Sequence, residues 1–332
     1  VKFGSVNVGD AQGTVLAHKL ALANRVLKKG HLLTRDDIAD LKAQNIDDVI
    51  VAQLDDSDVG EDEAAKLIAD ELSSPSIEQK QAFTGRVNFY ATNAGIFHAD
   101  VDAINSLNRI SPDITLATLN NGVFVEAGRM VATVKIIPFA VPQSVLNTVL
   151  AHTKANGSFS LTPSVPFRAG LIGTKLPSLK SSTMDKTREI LINRLEIAGS
   201  ALNEEMRVAH EVRELSAALR VMVNRVDIII VFGASAITDR QDVIPAALEA
   251  AGGQVVRFGM PVDPGNLLMM GELEGKPVIG APGCARSPAE NGFDWVLQRL
   301  LAQLPVDDDF ISGLGVGGLL MEITSRPQPR EG

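Results

Sequence analysis

The stretch FGASAITDRQD, Phe232 to Asp242, puts a run of small residues between an apolar strand and a helix. Small residues let a backbone approach a ligand, and the unpaired N–H groups of a helix start favour anions. Gly233, Ala234, Ser235 and Thr238 are the candidate contacts there. Asp242 is the carboxylate that could hold a metal-bound phosphate or direct a water, with Asp239 behind it. Thr238 and Asp239 also read as ordinary helix caps, since Ser, Thr and Asp are preferred at that position. Downstream stand two Pro-Gly turns at strand ends, Pro264-Gly265 and Pro282-Gly283. The second is followed by Cys284, Arg286 and Ser287. A helix start lowers a thiol's pKa, but a nucleophilic cysteine also needs a base. None of the five histidines lies near Cys284 in the sequence.

Alternating elements must position these residues. From Phe167, RAGLIGT reads as a strand and SSTMDKTREILINRLEIAG as a helix, with Ser182 and Asp185 as a capping box and Gly199 as its stop. HEVRELSAALRVMV is helix. VDIIIVFG is a continuous apolar strand, as expected where both faces of a sheet are covered. QDVIPAALEAAGG is helix, QVVRFGM and KPVIGAPG are strands, and AENGFDWVLQRLLAQL is the last helix. The pattern predicts an α/β domain with a doubly wound, largely parallel sheet, in which ligands bind beyond the carboxyl ends of the strands.

Two smaller α+β modules precede it. LLTRDDIADLKAQNI reads as a helix capped by Thr34, DDVIVAQL as a strand and GEDEAAKLIADEL as a helix. SSPSIEQKQ reads as a linker. GRVNFYA, ITLATL and MVATVKIIPFAV read as strands around the helix DVDAINSLNRI, and HTKANGSFSLTPSVPF as a boundary. The expected division is 1–72, 73–165, 166–306, and a tail or linker at 307–332. GLGVGG in that tail matches G-x-G-x-x-G, but too little chain follows for the rest of a dinucleotide-binding unit.

Composition excludes several classes. A net charge of −9 and only 4% aromatic residues argue against nucleic acid as partner. No apolar run approaches the roughly 18 residues a membrane helix needs. VKFGSVNVGD lacks the basic-then-apolar pattern of a secretory leader, and a single cysteine allows no intrachain disulfide. The expectation is a soluble, cytoplasmic protein. The histidines show no zinc-ligand spacing.

The order of these pieces over Phe232–Leu304 resembles the molybdopterin-binding domain of molybdenum cofactor biosynthesis proteins, the family of molybdopterin adenylyltransferase and molybdopterin molybdenumtransferase. ASAITDRQDV stands where that family reads G-G-T-G followed by R-D-V, with Asp242 on the motif's aspartate. LEAAGGQVVRFGM, VDPGN and GELEGKPVIGAPGCARS follow in the family's order, then the helix from Ala289. Upstream, GLIGTKLPSL resembles the domain's first strand and loop, which places Gly173 and Thr174 facing the phosphate. The chain departs from the pattern at three places. Ala234, Ser235 and Ala236 replace glycines, so a loop needing φ > 0 would be strained there. Asp263 and Asn266 replace two lysines. Cys284-Ala285 replaces Asn-Pro, leaving Arg286 as the nearest cation.

The resemblance implies a pterin ligand: molybdopterin, its adenylated form or the molybdenum-loaded cofactor. Its phosphate is expected over the Gly233–Thr238 loop and the following helix start, with Mg²⁺ on Asp242. Molybdate insertion, or delivery to a fused or partner cytidylyltransferase without chemistry of its own, are both implied roles. A Mg²⁺-dependent nucleotide hydrolase on the same fold, of the kind that splits ADP-ribose, is the alternative. Self-association is also expected.

Overall fold

The computed structural model describes residues 1–177 and 180–320. The chain divides into two compact units. One is Val1–Asn93 with Phe97–Leu161, and the other is Ala94–Ile96 with Thr162 onward.

In the first unit, β1 (Lys2–Asn7) and β2 (Val15–Leu16) flank a later central strand, and α1 (Arg35–Ala43) packs beside them. That central strand is β3 (Asp48–Gln53), antiparallel to both. Thr34 caps α1 as expected, in a reciprocal capping box with Asp37. Helix α2 (Glu61–Glu71) lies against a second sheet, made of β4 (Ile77–Gln79), β5 (Arg86–Ala91), and the later β6 and β7. Helix α3 (Val101–Ile110) precedes β6 (Ile114–Thr118), β7 is Met130–Ile136, and α4 spans Gln143–Asn156. One expectation is corrected here. SSPSIEQKQ is not a linker: Ile77, Glu78 and Gln79 pair with Ala91, Tyr90 and Phe89. Polar outward-facing residues disguised that segment as loop. HTKANGSFSLTPSVPF contains the division between the units at Leu161 and Thr162, and also carries the last turn of α4 and the strand Phe159–Pro163.

Asp37 is the one fully buried acid of the first unit. Its Oδ2 accepts from the Thr34 hydroxyl at 2.6 Å and the Thr34 amide at 2.8 Å, and lies 2.8 Å from His31 Nε2. Arg25 stands 2.7 Å from Oδ1, off the hydrogen-bonding direction. Burial pushes the carboxyl pKa up, but the bonds from Thr34 and His31 together outweigh it and bring it down to about 2 from its ordinary 3.8. The folded value lies below the unfolded one. The stabilisation is therefore complete above pH 3.8 and is lost as pH falls from there toward 2, amounting to about 2 kcal/mol. Urea unfolding at pH 6 and pH 3 should show this loss in the wild type and a smaller one in Asp37→Asn. Equal losses in the two would remove Asp37 from the acid response.

The second unit is one six-stranded sheet. β8 (Arg168–Lys175) leads to α5 (Ser181–Ile197), β9 (Ala201–Ala209), α6 (Val212–Met222), β10 (Ile228–Phe232) and α7 (Val243–Ala251). Then come β11 (Gln254–Phe258), β12 (Met269–Leu273), β13 (Lys276–Ala281) and α8 (Gly292–Leu301). The order is β9-β8-β10-β13-β12-β11. The first four strands are parallel, and β12 runs antiparallel to both its neighbours. This is the largely parallel α/β sheet expected. All five residues of β10 are buried, because helices cover both faces of a central parallel strand. Helices α6 and α7 pack together, while an Arg194–Asp294 ion pair ties α5 to α8.

Strands β9 and β12 have no counterpart in the sequence reading. Helix α5 begins at Ser181 without a side-chain cap, so Ser182 and Asp185 form no capping box. Asp185 instead pairs with Arg207 of β9 at 2.6 Å. Gly199, at φ +72°, ends the helix as expected. GLGVGG lies in a 3₁₀ turn, Gly313–Gly315, and the residues after it, with no strand leading in. Residues 321–332 of the expected tail lie outside the described residues.

Candidate functional site

Strand β8 hands the chain to α5 and β9 on one side, while β10 hands it to α7 and the strands on the other. The carboxyl ends of β8 and β10 are therefore the point where the sheet's winding reverses, the usual ligand crevice of such sheets. Thr174, next to last in β8, is fully buried. Its Oγ1 accepts the Ala234 amide at 2.8 Å and lies 2.8 Å from His210 Nδ1, just past β9. A hydroxyl that donates to Nδ1 requires the ring proton to sit on Nε2. Thr174 is thus a brace across the switch point. Gly173 beside it serves packing, since a Cβ there would meet Met184 of α5 at 2.4 Å.

The loop after β10 starts at Gly233, where a Cβ would stand 2.6 Å from the Ser235 carbonyl. Only glycine permits that close approach. None of Ala234, Ser235, Ala236 or Ile237 has positive φ. The strain expected from the lost glycines is absent, because no residue of this loop needs φ > 0. Ile237 is buried and pins it to the core.

Asp242, and neither Thr238 nor Asp239, caps α7. One of its oxygens accepts the Val243 amide at 2.9 Å and the other the Thr238 amide at 3.1 Å. Asp239 accepts from Gln241 N–H at 2.7 Å. The start of α7 therefore already carries a carboxylate of its own.

Pro282-Gly283 opens a short 3₁₀ turn, Gly283–Arg286, and α8 begins only at Gly292. Asn291 caps α8 in a reciprocal box with Asp294. Cys284 is therefore not at the start of α8; its Sγ lies 3.8 Å from Asn291 Oδ1. Nothing acquires a Cβ clash at Gly283, whose Cβ direction opens into free space. Arg286 reaches back to the switch point. It donates to the Gly233 carbonyl at 3.0 Å and to Thr187 Oγ1 of α5 at 2.6 Å, over the ring of Phe232. Ser287 accepts the Ala289 amide on its hydroxyl.

A residue the sequence did not point to holds this segment in place. Arg194 of α5 donates to the carbonyls of Ala285 at 2.9 Å and Ser287 at 2.8 Å, and pairs with Asp294. His210, Thr187 and Phe232 are likewise additions. Their signals are tertiary and no local pattern carries them. The other turn, Pro264-Gly265, is directed elsewhere. Gly292 N–H donates to the Pro264 carbonyl at 2.8 Å, and a Cβ at Gly265 would meet the Gly292 backbone at 2.9 Å. Asp263 pairs through its backbone with Gly318 and Leu320. Thr174, Gly233, Ala234 and Arg286 are thus joined by direct contacts, while Pro264-Gly265 seats α8.

A doubly wound α/β sheet offers a ligand crevice beyond the carboxyl ends of its strands, and here a small-residue loop and a turn carrying Arg286 stand there. The family described as "Probable molybdopterin binding domain" matches residues 171–303, which take in all four parallel strands but the start of β8. The resemblance to a molybdopterin-binding domain read from the sequence is thus supported over residues 171–303. A domain of unknown function matches residues 5–53. No curated protein matches the chain in sequence.

Among solved structures, the molybdopterin biosynthesis MoeA protein of Pyrococcus horikoshii is similar at 14% identity and TM-score 0.31, covering 91% of this chain and 75% of its own. CinA of Thermoplasma acidophilum, of unknown function, is 16% identical at TM-score 0.30, covering 38% and 91%. The molybdopterin biosynthesis enzyme MoaB of Thermus thermophilus is 17% identical at TM-score 0.28, covering 42% and 98%. No helix among the described residues is long and apolar enough to cross a membrane.

Proposed function

We propose that the crevice at the ends of β8 and β10 binds the molybdopterin-type ligand, as a step of molybdate insertion or of delivery to a cytidylyltransferase. The observation that carries this reading is the Thr174–Ala234 brace inside the matched domain. It fixes the small-residue loop at the switch point, with the open space at Gly283 belonging to the turn that Arg286 anchors there. The contacts we assign to the ligand are Gly233, Ala234, Ser235 and Thr238 on one loop, and Pro282, Gly283, Cys284, Arg286 and Ser287 on the other. Gly173 and Thr174 shape the floor. The reading places the protein in the cytoplasm as a self-associating chain.

Mg²⁺ fits at Asp242 in a limited way. Each carboxylate oxygen takes one amide and keeps a lone pair. Among the described residues no group of three His, Cys, Asp or Glu forms a dedicated cage. That matches an ion held by one or two carboxylates and by phosphate oxygens of the ligand, with Asp239 as the second carboxylate. Bound there, the ion would neutralise phosphate charge.

The test is an anaerobic titration of the whole chain with molybdopterin, followed by fluorescence after controlled oxidation. Saturable binding at micromolar concentration or tighter is the expected result, and a folded protein that binds none overturns the reading. Asp242→Asn keeps one amide acceptor and should cost about 1 kcal/mol of stability. The part of the affinity that depends on Mg²⁺ should fall about tenfold, by the loss of a charged ligand to the ion. A wild-type response to Mg²⁺ in this variant would take Asp242 out of the metal site.

A further inference from the structure

Arg286 is a half-buried cation whose protein partners are all neutral. It has the Thr187 hydroxyl, the Gly233 carbonyl and the face of Phe232, with the ring centroid 5.1 Å away. Among the described residues no carboxylate pairs with it. Burial lowers its pKa, and no nearby acid opposes that. The contrast with Arg194 is direct, since that arginine has Asp294. A guanidinium presents five donors in a rigid fork, and two of these are spent on Thr187 and Gly233. Taking a charge out of water without a counter-charge is costly, so such groups are normally paired.

The other place where an anion was expected is the start of α7. That place is filled by the Asp242 carboxylate, which repels an anion unless a cation intervenes. On the α5 side of the crevice, Arg286 is a positive charge with no carboxylate against it among the described residues.

We infer that Arg286 is the counter-charge for a phosphate group of the ligand, held by the guanidinium between Gly233 and Thr187. This rests on the crevice being a ligand site, but not on the ligand being a pterin. A phosphate monoester from a pterin and one from a nucleotide share this chemistry.

Inorganic phosphate is the probe, titrated into the whole chain in a non-phosphate buffer against chloride at equal ionic strength. Wild type should bind it saturably. Arg286→Met, which keeps the side-chain length, should bind at least tenfold more weakly. Arg240→Met, which removes an exposed arginine of the neighbouring loop, should bind as wild type. Equal binding by Arg286→Met overturns the inference, as does wild-type stabilisation no greater than chloride gives. Should Arg286→Met not fold, the side-chain Nε–H resonance of Arg286 in the wild type decides: a saturable shift with phosphate supports the assignment, and no shift overturns it.

Competition separates the two sources. Displacement of phosphate by molybdopterin and not by AMP or ADP-ribose identifies a pterin phosphate, and the reverse identifies a nucleotide. Phosphate binding that depends on Arg286, without pterin binding, leaves this inference standing and removes the pterin reading. Pterin binding that is indifferent to Arg286→Met does the opposite.

Discussion

Arg194→Met lowers the stability of the second unit by about 3–5 kcal/mol, the usual cost of leaving one partner of a buried ion pair alone. The arginine and Asp294 are 10% and 9% exposed, so solvent does little to screen the loss. The substitution also frees the carbonyls of Ala285 and Ser287, which lose their donor. Trp295, the only tryptophan, sits on α8 beside Asp294, so its fluorescence during denaturant unfolding reads this unit directly. In the double variant Arg194→Met with Asp294→Leu, part of the cost should return, because no charge is then stranded. It should not return in full, since Asp294 also accepts the Asn291 amide that closes the cap of α8. A loss below 1 kcal/mol in the single variant would mean that the pair is solvated and that the 285–289 segment holds itself.

Such couplings separate what the sequence reveals from what it hides. Ile228–Phe232 and Val212–Met222 announce themselves by an unbroken apolar run and a repeating apolar face, because burial dictates residue type locally. Strand β9 does not. It is an edge strand, and Glu204, Glu205 and Arg207 meet Arg225, Arg188 and Asp185 across its surface, which breaks the alternation a reader seeks. The cap of α7 was ambiguous for a different reason. Thr238, Asp239 and Asp242 all suit the position, and burial of Ile237 decides among them by fixing where the loop leaves the core. Candidate residues Thr174, Gly233, Ala234 and Arg286 were legible through the family's order of motifs. Their connections were not. Thr174 meets His210 across 36 residues and Arg194 meets Ser287 across 93, and no periodicity spans such distances.

Gly283→Val should leave the fold intact and weaken molybdopterin binding by at least tenfold. The backbone at Gly283 does not have positive φ, and no heavy atom lies within 4 Å of the Cβ position. The protein therefore loses nothing by accepting a side chain there, and the stability change should stay within about 0.5 kcal/mol, as at exposed sites. A ligand filling that space meets two new methyl groups between itself and the turn that carries Arg286. Gly233→Val is the necessary contrast. Its Cβ would press on the Ser235 carbonyl at 2.6 Å and on Ile244 at 3.0 Å, so stability and binding must fall together as the loop is pushed out. Loss of affinity in both variants, with loss of stability only in the second, separates a ligand contact from a packing requirement. Unchanged affinity in Gly283→Val would mean that the ligand leaves the Pro282-Gly283 side of the crevice empty. The Pro-Gly pair would then be no more than the turn that carries β13 toward α8.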